Sequence, residues 1–188
     1  SELVEAARIF ADAFAGLEAG PSWLTLNLSC PNTEDDPHGN QSAELARELC
    51  GALVTAVDVP LWVKIGPDLS NEQLGGIVEA FGETGVRAVV ATNTLAQPTP
   101  DGAGVAGVSG SRLRATALDV VSRLKHTIEV SGLGLDIVGG GGILDGEDLL
   151  AFRAAGARAA MLYTAMVLRG PLAAALILHE AEEGEPDA

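Results

Sequence analysis

The residues of this chain best equipped for chemistry stand together between Leu24 and Thr33, a stretch that reads LTLNLSCPNT. It holds one thiol, Cys30, between two amides, Asn27 and Asn32. A thiol can take or give a proton, and amides can hold a polar heterocycle through paired donors and acceptors. Leu24, Leu26 and Leu28 alternate with Thr25, Asn27 and Ser29, a period of two that predicts a strand. Cys30-Pro31-Asn32 breaks the pattern, so the thiol and both amides gather at the C-terminal end of that strand. A strand carrying a buried, unreactive cysteine fits the same residues, and the rest of the chain decides between the two.

Other polar residues fall at similar places. Leu61 to Ile65 reads LWVKI, an apolar strand interrupted by Lys64 and ended by Gly66-Pro67. A cation there must leave through the strand end or meet an anionic partner, because a buried unpaired charge is costly. None of the strand sequences offers a carboxylate toward its C-terminal end, which favours an anionic ligand. A strand predicted over Val86 to Ala91 ends in Thr92-Asn93-Thr94. Another, Leu135 to Val138, runs into Gly139-Gly140-Gly141-Gly142, and the last, Ala159 to Tyr163, is followed by Thr164. The glycine run permits close backbone approach. With Tyr163-Thr164 it resembles the phosphate site that many barrels build from loop amides and a helix N-terminus. His38, His126 and His179 share no spacing that suggests a triad or a metal. His126 and His179 read as solvated, and His38 lies in the polar segment after the cysteine.

The elements that must position these residues follow from apolar periodicity. A helix is predicted over Ser1 to Leu17 with a stripe of Leu3, Val4, Ala7, Phe10, Ala11, Phe14 and Leu17. Glu34 to Asn40 reads as a mobile loop. A helix over Ala43 to Val57 buries Leu45, Leu49, Leu53 and Val57, and Cys50 beside that stripe has a core role. Ser70 and Gln73 form a capping-box pattern for a helix burying Leu74, Ile77, Val78 and Phe81. A long Gly-rich loop, Gln97 to Gly110, precedes a helix from Leu113 to about Ile128. Asp145 caps a short helix through Leu149, Leu150 and Phe152, and a helical tail runs from Leu172 to Glu183. This is βα repeated five times with apolar strands, which demands a parallel sheet covered by helices. Asn27, Cys30, Lys64, Thr92, Asn93 and the glycines then lie at or near strand C-termini, where α/β folds bind ligands.

Composition narrows the function. The chain has 188 residues, enough for one domain with a real core, and carries a net charge of -15. That acidity opposes binding to phosphate backbones and argues against a nucleic-acid partner. Cys30 and Cys50 have neither metal-ligand spacing nor the pattern of a disulfide framework. No apolar run approaches a membrane span and no signal peptide is visible, so a reduced, cytoplasmic protein is expected.

Taken in order, LNLSCPNT, LWVKIGPDLS, ATNT, GVSG, IVGGGGI and LYTA resemble the C-terminal part of dihydroorotate dehydrogenase, an FMN enzyme of pyrimidine biosynthesis. The resemblance covers essentially the whole chain. It implies a (β/α)8 TIM barrel with FMN at its C-terminal face, present in residues 1–188 as about five C-terminal βα units. It makes Cys30 the base that removes a proton from C5 of dihydroorotate while hydride passes from C6 to FMN. Asn27, Asn32, Asn93 and Thr94 would hold the substrate. Asn27, Lys64 and Thr92 would contact the flavin, whose phosphate would rest on Gly107, Gly141, Gly142, Tyr163 and Thr164. A cysteine base is similar to the soluble class 1 branch, since class 2 uses serine, whereas LYTA followed by Arg169-Gly170-Pro171 looks closer to class 2.

Two departures accompany the resemblance. The family's GGxSG reads Ala106-Gly107-Val108-Ser109-Gly110, and the family's first three βα units are absent. Five strands cannot close an eight-stranded barrel, so the strands at Trp23 to Leu28 and Ala159 to Tyr163 are expected to be open edges and the isolated chain to be inactive. The implied partners are dihydroorotate and orotate, with the electron acceptor open between fumarate, NAD through a partner subunit and a quinone. A homodimer or an electron-transfer subunit is also left open. Competing readings are a dihydropyrimidine dehydrogenase-like barrel, a dihydrouridine synthase, a flavin-free phosphate-binding barrel such as a lyase or aldolase, and a noncatalytic fragment.

Overall fold

The structure, a computed structural model, describes residues 2–16, 20–29 and 41–184. In chain order the elements are α1 (Glu2–Ala15), β1 (Leu24–Asn27), α2 (Ala43–Ala56), β2 (Leu61–Ile65), α3 (Asn71–Thr84), β3 (Ala88–Ala91), β4 (Leu95–Pro98) and β5 (Val105–Val108). They continue as α4 (Ser111–Ser131), β6 (Asp136–Gly140), α5 (Gly146–Ala155), β7 (Ala159–Met161), α6 (Thr164–Arg169) and α7 (Ala173–Gly184). The chain divides into two compact units, one of Ser1–Ile65, Leu69–Val89 and Thr127–Asp136, the other of Gly66–Asp68, Val90–His126 and Ile137–Ala188.

In the first unit β1 and β2 pair in parallel, with Leu24 opposite Leu61 and Asn27 opposite Lys64. Leu61, Val63 and Ile65 are buried, while Trp62 and Lys64 on the opposite face are half-buried, the alternation expected of a pleated strand. Trp62 stacks on Trp23 with ring centroids 4.3 Å apart. The capping box forms: Ser70 Oγ accepts from the Gln73 amide at 3.2 Å and Gln73 Oε1 from the Ser70 amide at 2.9 Å. Leu74, Ile77, Val78 and Phe81 are all buried on α3.

The stripe expected on α2 is rotated. Its buried residues are Ala46, Cys50 and Leu53, with Leu45, Leu49 and Val57 half-covered. The cause is the close packing of α2 on α3, where Gly51 lies beside Thr84 and Gly76 beside Ala43. A tight helix pair selects small side chains at the contact and sends leucines to its flanks. On α1 the helix forms as expected, but Ala7 alone of its described residues is buried, and Ile9 and Phe10 are exposed.

In the second unit β6 and β7 pair in parallel, Gly140 opposite Met161, and the Thr92 amide donates to the Gly140 carbonyl at 2.8 Å. Residues 97–110, expected to be a loop, instead contribute to a hairpin in which β4 and β5 pair antiparallel, Ala96 opposite Gly107. Its strands, LAQP and VAGV, are four residues long, mostly exposed and without apolar alternation, so the usual strand signal is missing. Asp145 caps α5 as expected, its Oδ1 accepting from the Asp148 amide at 2.9 Å.

The main sheet runs β1-β2-β3-β6-β7. With its helices it forms a partial (β/α)8 barrel, and β1 and β7 end the strand order as expected of open edges. Near β7 the surface is apolar: Met161, Tyr163, Val167, Leu168 and Leu172 are exposed, and a groove between α5 and α7 is lined by Phe152, Ala157, Leu162 and Ile177. Among the described residues no helix is long and apolar enough to cross a membrane.

Cys50 is fully buried, and that burial pushes its thiol up to about 12. An unfolded thiol titrates near pH ~8.5, so the folded state holds a proton that the unfolded chain releases. This contribution to stability is complete below that pH and is lost as the pH climbs toward 12. We expect the thermal midpoint of the full-length protein to fall more steeply above pH ~9 than that of Cys50→Ala. Parallel curves in a melting series from neutral to alkaline pH would contradict this placement.

Candidate functional site

The residues singled out for chemistry form a cluster in each unit. In the first, parallel register sets Asn27 beside Lys64 on the less buried face of β1 and β2. Asn27 Oδ1 accepts from the Ser29 hydroxyl at 2.8 Å and from the Ser29 amide at 3.3 Å. Those bonds hold the side-chain carbonyl and leave the NH2 group as the donor. Lys64 is half-buried, and no carboxylate among the described residues pairs with it. Cys30, Asn32 and His38 lie outside the described residues.

In the second unit β3 delivers Thr92, Asn93 and Thr94. Thr92 is buried, and its hydroxyl donates to the Asn93 carbonyl at 2.8 Å. Asn93 Oδ1 accepts from the Thr94 amide at 2.9 Å, which fixes the orientation of the amide group. Gly107 makes room for Thr94, because a Cβ there would come within 2.8 Å of the Thr94 Cβ.

The four-glycine run divides by role. Gly139 and Gly140 are the end of β6, and a Cβ on Gly139 would lie 2.6 Å from the Phe152 ring, so that glycine serves the packing of α5. Gly141 and Gly142 leave the strand with φ of 114° and 100°, a region that favours glycine. A Cβ on Gly142 would lie 2.7 Å from the Gly110 carbonyl and 2.8 Å from the Arg114 Cβ, so α4 backs this turn closely. Among the described residues neither amide donates to a backbone carbonyl. Two adjacent open N–H groups on a glycine turn form a concavity suited to an anion. Thr164 stands close by: its hydroxyl donates to Ser109 Oγ at 3.3 Å, and its methyl would meet a Cβ on Gly110 at 3.2 Å. Tyr163 precedes α6 and is largely exposed.

A buried carboxylate beneath the glycine turn escaped the sequence reading. Asp148 on α5 is 3% exposed, accepts from the Leu144 amide at 2.9 Å and pairs with Arg114. Arg169 donates to the Leu144 carbonyl at 2.7 Å and pairs with Glu180, which also accepts from the Gly146 amide at 3.0 Å. The Arg169 hydrogen bond, with smaller help from the Gly146 amide, holds the Glu180 carboxyl below its ordinary range. The available signal was Asp148 itself, an acid on the face of α5 that also buries Leu149 and Phe152.

A parallel sheet whose strands alternate with helices defines a protein of the β/α-barrel class. Within that class the chain belongs to the dihydroorotate dehydrogenase family, whose family profile matches residues 9–184. It is 37% identical over 170 residues to a dihydroorotate dehydrogenase (quinone) of Bordetella avium, covering 84% of this chain and 48% of the relative. With the enzyme of the same name from Chromobacterium violaceum it shares 36% identity over 168 residues, 81% of this chain and 47% of that one. A crystal structure of DHODH from Eimeria tenella, in complex with ferulenol, is similar with a TM-score of 0.73 and 27% identity, over 84% of this chain and 48% of that one. The chain thus spans about half the length of the curated relatives it matches.

The tight fit of Gly142 can be measured against a glycine that also has positive φ but stands in open space. Gly132 has φ 66°, and a Cβ there would meet nothing within 4 Å. Both alanine variants carry the left-handed strain of about 1 to 2 kcal/mol, but only Gly142→Ala adds overpacking, about 1 to 3 kcal/mol. Urea unfolding should show the larger loss for Gly142→Ala, and equal losses would mean that α4 does not back the turn.

Proposed function

We propose that this chain supplies the C-terminal part of an FMN-dependent dihydroorotate dehydrogenase that oxidises dihydroorotate to orotate in pyrimidine biosynthesis. The observation that carries the reading is the family match across residues 9–184. The residues present fit a flavin nucleotide. Gly141 and Gly142 offer amides without carbonyl partners among the described residues, and Lys64 has no carboxylate partner among them. In this reading Gly107, Gly141, Gly142, Tyr163 and Thr164 hold the phosphate, and Asn27, Lys64 and Thr92 contact the flavin. When bound, FMN supplies the acceptor for the hydride that leaves C6 of the substrate.

The chain's own residues bind, orient and move the proton. Asn27, Asn32, Asn93 and Thr94 hold the substrate. The hydrogen bonds that Asn27 and Asn93 accept through Oδ1 fix both side chains before any ligand arrives, which lowers the ordering cost of binding. Cys30 takes the proton from C5. The quinone named for the curated relatives favours a quinone as the electron acceptor over fumarate or NAD. A cytoplasmic location belongs to the same proposal, and free Cys50 fits a reducing compartment.

The base assignment has a direct test in the full-length protein. Cys30→Ala should lower dihydroorotate oxidation by on the order of 100- to 10,000-fold, the usual span for loss of a general base, while FMN stays bound. Cys30→Ser should keep part of the activity with its pH profile displaced upward, because a hydroxyl gives up its proton less readily than a thiol of pKa ~8.5. Unchanged turnover in Cys30→Ala would refute the role of Cys30.

A further inference from the structure

We propose that Asp148 is a positioning residue, whose carboxylate holds the Gly141–Gly142 turn in the shape that receives the phosphate of the flavin nucleotide. The inference rests on the phosphate-site reading above and assigns that site its support. The turn is short, and its far end is Leu144. Both polar groups of the Leu144 backbone are engaged from below, the amide by Asp148 Oδ2 at 2.9 Å and the carbonyl by Arg169 at 2.7 Å. The second oxygen of Asp148 pairs with Arg114, and it is the Arg114 backbone and Cβ that crowd Gly142. One buried carboxylate therefore ties together the end of the turn and the helix that backs its start.

The chemistry of the pair supports a positioning role. An acid 3% exposed is costly to leave unpaired, and this one is bound on both oxygens by groups on either side of the glycine turn. Glu180 extends the support, since it accepts from the Gly146 amide and pairs with Arg169. Neither Asp148 nor Arg114 is among the residues assigned to touch substrate or flavin. Their effect on binding passes through the two glycine amides, so it should be felt by the phosphate and not by the isoalloxazine ring.

That difference supplies the test. Dissociation constants for FMN and for riboflavin, which lacks the phosphate, are measured by flavin fluorescence quenching on full-length parent, Asp148→Asn and Arg114→Gln. The parent should prefer FMN. In Asp148→Asn the FMN constant should rise about tenfold, the loss of one charge-assisted hydrogen bond, while the riboflavin constant changes less than about twofold. Arg114→Gln, at a half-exposed side chain, should show the same selective loss in smaller measure and reads the proposal even if Asp148→Asn does not fold. Variants that keep the full FMN preference, or that lose both ligands in proportion, would overturn the role of Asp148 and leave the phosphate site standing. A parent that binds FMN and riboflavin alike would overturn the phosphate reading itself and this inference with it.

Discussion

Parallel strand pairing decides which side chains of this protein can meet. In a parallel pair both strands end on the same side, so side chains just past those ends become neighbours without any contact between them being specified. The register of β1 with β2 sets Asn27 beside Lys64. That of β6 with β7 sets Gly140 beside Met161, so the Gly141–Gly142 turn and Tyr163-Thr164 leave their strands together. A shift of one residue in either register would send these groups to the other face. Burial enforces the register, since Leu61, Val63 and Ile65 must all stay covered.

Local signals were the legible ones. Strand β2 has the boundaries that its five apolar-rich residues and Gly66-Pro67 imply, and the Ser70–Gln73 capping box and the Asp145 cap both form. Each depends on residues within six positions of one another. The core role of Cys50 was legible too, although the face of α2 that buries it is not the one its leucines mark. Leucines show where a helix is apolar, but Ala46, Cys50 and Gly51 show where another helix can come close, and that depends on α3. Hairpin β4–β5 was hidden because its strands face outward and carry no alternation.

The support of the glycine turn was illegible for a related reason. Asp148 stands 34 residues from Arg114, and Arg169 stands 25 from Leu144. Pairings at that separation leave no periodic trace. The glycines themselves were visible, but their division was not: Gly139 serves the packing of Phe152, whereas Gly141 and Gly142 open their amides. The run carries two functions, one for the fold and one for the candidate site.

The proposed role of this chain, helping a bound flavin take hydride from dihydroorotate, can be read from the flavin itself in full-length protein loaded with FMN. Under anaerobic conditions dihydroorotate is mixed with the protein and the visible flavin absorbance is followed, with dihydrouracil as the comparison. Dihydroorotate should bleach the flavin, and dihydrouracil should leave it oxidised. Bleaching by dihydrouracil alone, or an oxidised flavin that survives saturating dihydroorotate, would contradict that role.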